Sequence, residues 1–225
     1  MNHSCKSKKY FYSLIKSCLG ALLFLGALSA SVLAQGSRPG DTPDTMDITD
    51  PPVFPGSIDV PGPLSEQDRN LVLGAYQGDL ARVEVLVGKG ANVNVQDQKK
   101  RTPLIFAATN GHTSVVEFLI SKGAKVNAQD SGGRSALLYA AKRSFNETAA
   151  LLIEKGADIN VQSKKKGVNA LMLAAVWDNV ELVQMLLKQG ADTQLTDIFG
   201  RTAKVLAEKK GNKAVVDLLA APATP

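Results

Sequence analysis

The stretch RTPLIFAATNGHTSVVEFLISKGAKVNAQD, residues 101–130, contains two short helical patterns that are separated by a glycine turn. Thr102 followed by Pro103 is typical of a helix start, because a threonine hydroxyl caps free amides and proline suits the first helical position. Apolar residues then recur at helical spacing in each pattern. Gly111 and Gly123 end the two patterns, since glycine accepts the left-handed conformation that often closes a helix. The stretch therefore predicts one helix–turn–helix unit closed by a second turn.

The same unit recurs along the chain. A Gly-Ala pair repeats at steps of 33, 33 and 34 residues, and the single extra residue lies in a loop between Ser163 and Asn169. One such unit cannot bury its own apolar face, whereas stacked units can. The Gly-Ala pairs begin at Gly90, Gly123, Gly156 and Gly190, and the first helices are expected to start at Arg69, Thr102, Ser135, Asn169 and Thr202.

The unit resembles an ankyrin repeat, because TPL opens its first helix, Gly111-His112 lies between the helices and Gly-Ala closes the second. One departure is Ile105, which occupies the position where the family usually has histidine. The resemblance implies an all-α solenoid of about five helix–turn–helix repeats with finger loops. It covers residues 64–221, with repeats expected at about 64–97, 98–130, 131–163, 164–197 and 198–221.

Two repeats depart from this pattern between their helices. Residues 144–145 read SF, and residues 177–179 read WDN, where the second repeat has Gly-His. Without glycine, we expect the turn at Ser144-Phe145 to need a different geometry or to carry strain, and the turn at residues 177–179 departs further from the pattern. In the first repeat, Ser65 and the acidic residues after it resemble a capping box, and a helix is expected over Asn70–Gln77.

Residues 1–34 have the features of a secretory signal peptide. Four lysines precede an uncharged apolar core of about 15 residues, which is shorter than a membrane-spanning helix needs. We expect cleavage after Ala34 and a periplasmic or secreted protein, and an uncleaved membrane anchor is the alternative. Residues 35–63 hold seven prolines and five aspartates without any helical or strand period. They predict a disordered, stiffened spacer, unless Ile48–Phe54 is a short recognition segment.

Charge and residue usage bound the chemistry. Cleavage would remove four of the 26 basic residues and none of the 21 acidic ones, which leaves a net charge of about +1 and little reason to expect nucleic-acid binding. Cys5 and Cys18 would leave as well, and His112 would be the one remaining histidine. It lies at a structural position of the repeat, and no nucleophile–base pair, zinc ligand set or phosphate loop accompanies it. The sequence therefore predicts a protein that is not an enzyme and has no cofactor and no metal.

Acidic residues recur in the turns between repeats, at Asp97, Asp130 and Asp197. Hydrogen bonding within the turn is the expected role of aspartates at such positions. Calcium binding is the alternative, and it would need several oxygen ligands around one ion. The sequence Asn146-Glu147-Thr148 fits a glycosylation acceptor but lies at an expected helix start.

The resemblance implies that partners bind the concave side, which the finger loops and the ends of the first helices form. The repeat region has 21 basic and 16 acidic residues, so a partner protein with an acidic patch is expected, and Trp177 and Tyr76 are candidate apolar anchors. We expect a monomer that is an inhibitor, an immunity factor or a protector of an enzyme. The candidate partner-binding residues are Tyr76, Lys99, Arg101, Asn110, Arg134, Lys142, Arg143, Lys165, Trp177, Phe199 and Arg201.

Other interpretations of this surface remain open. Lysine and arginine are common at solvated loop positions, and a lone tryptophan can be a partly buried packing residue. A binder of anionic glycan or phosphate on the cell envelope would use the same basic loop tips and would depend strongly on salt.

Overall fold

The computed structural model describes residues 65–220. Within this range the chain forms ten α-helices, and Gln129 and Ser135 form an isolated antiparallel bridge. No helix among the described residues is long and apolar enough to cross a membrane. The expected signal peptide and the Pro- and Asp-rich segment, residues 1–34 and 35–63, lie outside the described part of the chain.

The helices occur in five pairs, each made of a first and a second helix. Each first helix packs against the first helix of the next pair, and the second helices form an outer layer of their own. The chain is therefore an all-α repeat fold with one core between two helical layers, as the sequence predicts. The helices are α1 Glu66–Gln77, α2 Leu80–Gly88, α3 Pro103–Thr109, α4 Thr113–Ser121, α5 Ala136–Lys142, α6 Asn146–Glu154, α7 Ala170–Val176, α8 Val180–Lys188, α9 Ala203–Lys210 and α10 Lys213–Ala220.

Each first helix has a side-chain cap at its N-terminus. Thr102, Ser135 and the two later predicted starts each accept a hydrogen bond from the amide three residues ahead, which confirms four of the five predicted starts. The fifth prediction, a start at Arg69 with a helix over Asn70–Gln77, is wrong. Helix α1 begins at Glu66, because the Ser65 hydroxyl accepts a hydrogen bond from the Asp68 amide at 3.1 Å and adds a turn.

The three interior first helices, α3, α5 and α7, are buried on almost every side, whereas the second helices bury one face. All six residues from Ala136 to Ala141 are buried in α5, and every residue of α7 is buried. Helix α4 buries only Val115, Val116 and Leu119. A first helix is buried so completely because it is covered by both neighbouring first helices and by its own second helix. Burial of each leucine or valine contributes about 2 kcal/mol to the hydrophobic term.

Asparagine side chains join successive repeats on the outer side of the loops. The Asn94 side chain donates to the carbonyl of Gly123 at 3.0 Å and accepts from the amide of Lys125 at 2.8 Å. Asn127 makes the equivalent pair of bonds one repeat later, and Asn160 accepts from the next repeat as well. These bonds tie each repeat to the one that follows it.

The turns between paired helices keep one geometry even where glycine is missing. Gly111 has a φ of 72°, while Ser144 and Asp178 have φ values of 58° and 54°. The expected alternative of a different turn geometry is therefore not observed. The backbone at Ser144 and Asp178 is strained instead, because non-glycine residues seldom adopt this left-handed conformation. A Cβ at Gly111 would also lie 2.7 Å from the Phe145 ring, so that position needs glycine for two reasons.

Candidate partner-binding surface

The finger loops are built around aspartates that bind the backbone of the loop. Asp97 Oδ1 accepts hydrogen bonds from the amides of Lys99 and Arg101 at 2.9 and 2.7 Å. Asp130 and Asp197 make the same two bonds in their own loops. The predicted turn role of these three aspartates is confirmed.

The second carboxylate oxygen of each aspartate holds an arginine of the same loop. Arg101 Nε donates to Asp97 Oδ2 at 2.7 Å, and Arg134 and Arg201 make equivalent pairs at 3.0 and 2.8 Å. Each guanidinium also lies over an aromatic ring, 4.6 to 4.9 Å from its centroid. Arginine suits this position because its planar fork can pair and stack at the same time.

These pairs change how the predicted arginines can take part in binding. Arg101 is only 7% exposed, so it has little surface for a partner. The Arg134 and Arg201 side chains are 30% and 16% exposed, and each forms an ion pair with the aspartate of its own loop. Partner contact by Arg134 and Arg201 stays a prediction, and their observed role is to shape the loops.

Asp197 shows the electrostatic consequence of this arrangement. Burial alone would raise the pKa of its carboxyl group above the ordinary 3.8. Hydrogen bonds from the Arg201 side chain and from the amides of Arg201 and Phe199, together with the arginine charge, outweigh burial and lower the pKa. The carboxylate is thus held charged as part of the loop framework.

The third finger loop, residues 163–168, differs from the other three. Ser163 and Val168 replace the aspartate and the arginine, and the Ser163 hydroxyl accepts from the Val168 amide at 3.2 Å. The loop is one residue longer and carries three consecutive lysines, of which Lys164 and Lys165 are exposed. This loop therefore presents ammonium groups at a place where the other loops keep their arginine paired.

Backbone hydrogen bonds join the four finger loops into one continuous surface, here called the finger ledge, residues 97–101, 130–134, 163–168 and 197–201. The amide of Ser131 donates to the carbonyl of Lys99 at 2.7 Å. Lys164 donates in the same way to Gly132 at 2.8 Å, and Ile198 donates to Lys166 at 3.2 Å. The exposed Lys99 and Lys165 of the predicted set both lie on this ledge.

A second row of side chains lies where the first helices end, and it is called the palm row: Asn110, Arg143, Trp177 and Lys210. Trp177 is 48% exposed and directly follows α7, while Arg143 is exposed in the preceding repeat. Asn110 is tied to the core, because its side chain donates to the carbonyl of Tyr76 at 2.7 Å. The half-buried Lys142 precedes Arg143.

Tyr76, at the N-terminal end of the predicted binding surface, is already engaged in packing. The Tyr76 ring makes an edge contact with Phe106, with centroids 6.4 Å apart, and its carbonyl receives bonds from both Asn110 and His112. His112 Nε2 lies 3.0 Å from that carbonyl, which is the structural role expected for this residue. Of the two candidate anchors, Trp177 is thus the more available and Tyr76 the less.

Sequence reasoning missed two exposed apolar residues near the C-terminal end. Ile198 is 60% exposed beside Phe199, which is 68% exposed on the finger ledge as predicted. Val205 of α9 is 43% exposed, although the corresponding Leu138 and Met172 are buried under the repeat that follows. Val205 aligns in sequence with those core positions, but it belongs to the last repeat and has no described repeat to cover it. That combination is the signal that could have revealed its exposure.

Two further sequence candidates can be placed. The Asn146 side chain donates to Glu181 and accepts from Asn179, both at 2.6 Å, and Thr148 is 1% exposed. The glycosylation pattern therefore coincides with a packed contact between repeats. In the described part of the chain, no group of three or more His, Cys, Asp or Glu residues is arranged to hold a metal ion.

Comparison with known proteins agrees with this architecture. A family model described as ankyrin repeats (3 copies) matches residues 71–163 and 160–224, which together exceed half of the chain. A comparison with curated proteins finds no match.

Proposed function

The chain belongs to the ankyrin-repeat family, whose members are generally protein–protein interaction modules and typically not enzymes, and on this premise we propose that it binds a partner protein on its concave face without catalysing a reaction. The proposed surface consists of the finger ledge and the palm row.

The exposure of Trp177 is the observation that carries this proposal. The residue is 48% exposed and directly follows a helix whose residues are all buried. A tryptophan in water forgoes much of the hydrophobic gain that burial would provide, and tryptophan is enriched among the residues that dominate binding energy. Its position in the palm row, between Arg143 and Lys210, favours an interface over a packing role.

Charge supports an acidic patch on the partner. The repeat region carries 21 basic and 16 acidic residues, and the ledge places Lys99, Lys100 and residues 164–166 along one side. Such a surface accelerates and orients the encounter with an acidic protein more than it sets the final affinity. We propose that the protein acts as a monomer toward this partner.

The compartment is also a proposal, and it rests on the sequence of residues 1–34. A basic start, a short apolar core and small residues before position 34 support export to the periplasm or beyond. In that compartment, an inhibitor, an immunity factor or a protector of an envelope enzyme would fit a passive binding scaffold.

A comparison of two single variants of the full chain tests the proposal. Trp177→Ala removes the palm-row anchor, and Val85→Ala removes a residue on α2 that is 55% exposed outside the concave surface. We expect Trp177→Ala to recover much less partner than wild type from an extract of the source cells, while Val85→Ala recovers as much. Equal recovery by both variants and wild type would contradict the proposal.

A second candidate function is the binding of an anionic glycan or a phosphate on the cell envelope. The three lysines of residues 164–166 favour it. This function predicts binding that falls steeply with salt and does not depend on Trp177, since a polyanion needs charge and no apolar anchor.

A further inference from the structure

We infer that the partner docks through an extended acidic segment that carries an apolar side chain, with its carboxylates on the lysines of the third finger loop and its apolar side chain on Trp177. This inference rests on the proposed function, and it adds the place of contact and the chemistry of the segment that is bound.

The third finger loop, residues 163–168, carries more lysines than any other loop of the finger ledge. In the other three loops an aspartate binds the arginine of the same loop, so the charge of that arginine is paired locally, although the first loop also carries the exposed Lys99 and Lys100. Ser163 and Val168 remove that ion pair, while Lys164 and Lys165 are exposed beside it. The result is a cluster of ammonium groups with no aspartate in their own loop.

The loop is nonetheless held firmly at its base. The Gln162 side chain donates to the carbonyls of Gly167 and Thr196 at 2.6 and 2.9 Å, and backbone bonds join the loop to both neighbouring fingers. A fixed base and exposed tips mean that the backbone loses little freedom on binding, so less binding energy is spent on ordering the site.

Helix α7 lies between the third finger loop and Trp177 along the chain, and it sets how far a bound segment must run. Helix α7 runs from the end of this loop to Trp177, and the rise from Asn169 to Trp177 is about 12 Å. An extended peptide advances about 3.3 Å per residue, so a segment lying along α7 needs roughly four residues to pass from Asn169 to Trp177, in addition to those that contact the lysines. Phe199, 68% exposed on the adjoining finger, offers a second apolar contact beside the lysines.

The exposed ring of Trp177 favours a peptide over a uniform polyanion. Trp177 is 48% exposed in the palm row, between Arg143 and Lys210. A uniform polyanion has no apolar group to cover this ring, whereas a peptide can supply one. A segment with acids at one end and an apolar residue at the other matches both parts of the surface.

Selection from a phage-displayed random peptide library on the full-length protein tests this inference. Three targets are compared: wild type, the triple variant Lys164→Gln, Lys165→Gln, Lys166→Gln, and Trp177→Ala. A control triple variant, Lys89→Gln, Lys125→Gln, Lys188→Gln, likewise removes three lysine charges, all at exposed positions outside the ledge and palm row. Equal melting temperatures establish that all four proteins are folded.

We expect the peptides enriched on wild type to carry Asp or Glu about four or more residues from an aromatic or large aliphatic residue. Their affinity should fall about tenfold on the finger variant and about 30-fold on Trp177→Ala. The control variant should bind as wild type does.

Three results would overturn the inference. Selected peptides without acidic residues, or with unchanged affinity for the finger variant, would place the site elsewhere on the concave face, and the proposed function would stand if native partner recovery still depended on Trp177. If inorganic polyphosphate displaces the peptides at the same concentration from wild type and from Trp177→Ala, the lysines serve general anion binding. Failure to select any peptide, combined with partner recovery independent of Trp177, would reject both proposals.

Discussion

Asp97 and Arg101 form an ion pair that is nearly excluded from water, with Arg101 Nε 2.7 Å from Asp97 Oδ2 and side-chain exposures of 2% and 8%. The same carboxylate holds two amides of the loop through its other oxygen. One side chain thus fixes the backbone turn and orients the arginine, so the finger loop depends on this pair for its shape.

Arg101→Met should therefore destabilise the protein more than Arg134→Met. Loss of Arg101 leaves a buried carboxylate without its counterion, and we expect a cost of about 3 kcal/mol in the free energy of unfolding. The Arg134 side chain is 30% exposed, so water can replace part of its role and the expected cost is about 1 kcal/mol. Urea unfolding of both variants measures the difference, and equal costs would contradict this role for burial.

Acid should weaken the last finger loop through Asp197. Because the folded-state pKa of Asp197 is below its ordinary 3.8, the carboxylate stabilises the fold at neutral pH. That contribution is lost as the pH falls below about 4 and through the folded-state pKa. The free energy of unfolding of wild type should drop between about pH 7 and about pH 3, and Asp197→Asn should show a smaller drop. An identical pH dependence in the two proteins would show that Asp197 contributes nothing to it.

The left-handed turns allow a stabilising substitution. Ser144→Gly relieves a φ of 58° and should stabilise the protein by about 0.5 to 1 kcal/mol after the added freedom of the unfolded chain is counted. Gly111→Ala should destabilise it by about 2 kcal/mol, because the new Cβ adopts the disfavoured φ and meets the Phe145 ring. Thermal unfolding compares the two, and a destabilised Ser144→Gly would mean that the serine side chain has a contact that outweighs the strain.

Trp177 should separate binding from stability. Because about half of the residue is exposed, Trp177→Ala should change the free energy of unfolding by no more than about 1 kcal/mol. Partner affinity should fall by about 2 kcal/mol or more if Trp177 anchors the interface. Calorimetry gives the first quantity and titration with the captured partner the second. A large stability loss with unchanged affinity would assign Trp177 to packing.

The sequence alone predicts much of this fold because its signals are local and repeated. Thr102 and Ser135 occupy the same place in successive repeats, and each caps the helix that follows. The first repeat breaks this regularity, since Ser65 starts α1 a turn before Arg69. With no described repeat before it, α1 has room for that extra turn, and the interior repeats give no hint of it.

The binding surface is less predictable, because the partition between exposed and paired side chains depends on three-dimensional contacts. Arg101 and Lys165 look alike as basic residues in finger loops. Only the structure shows that Arg101 is buried against Asp97, while Lys165 is exposed in a loop whose aspartate is replaced. The Asp-to-Ser change at position 163 was the available signal, and its meaning depends on the pairing seen in the other loops.

Lysine cross-linking of the complex with the captured partner tests the central claim most directly, because lysines lie both on and off the proposed surface. If the concave face holds the partner, the cross-links that an amine-reactive reagent forms to the partner should concentrate on Lys99, Lys165 and Lys210. Cross-links concentrated instead on Lys89, Lys125 and Lys188, with Lys165 reacting as it does in the protein alone, would contradict binding on the concave face.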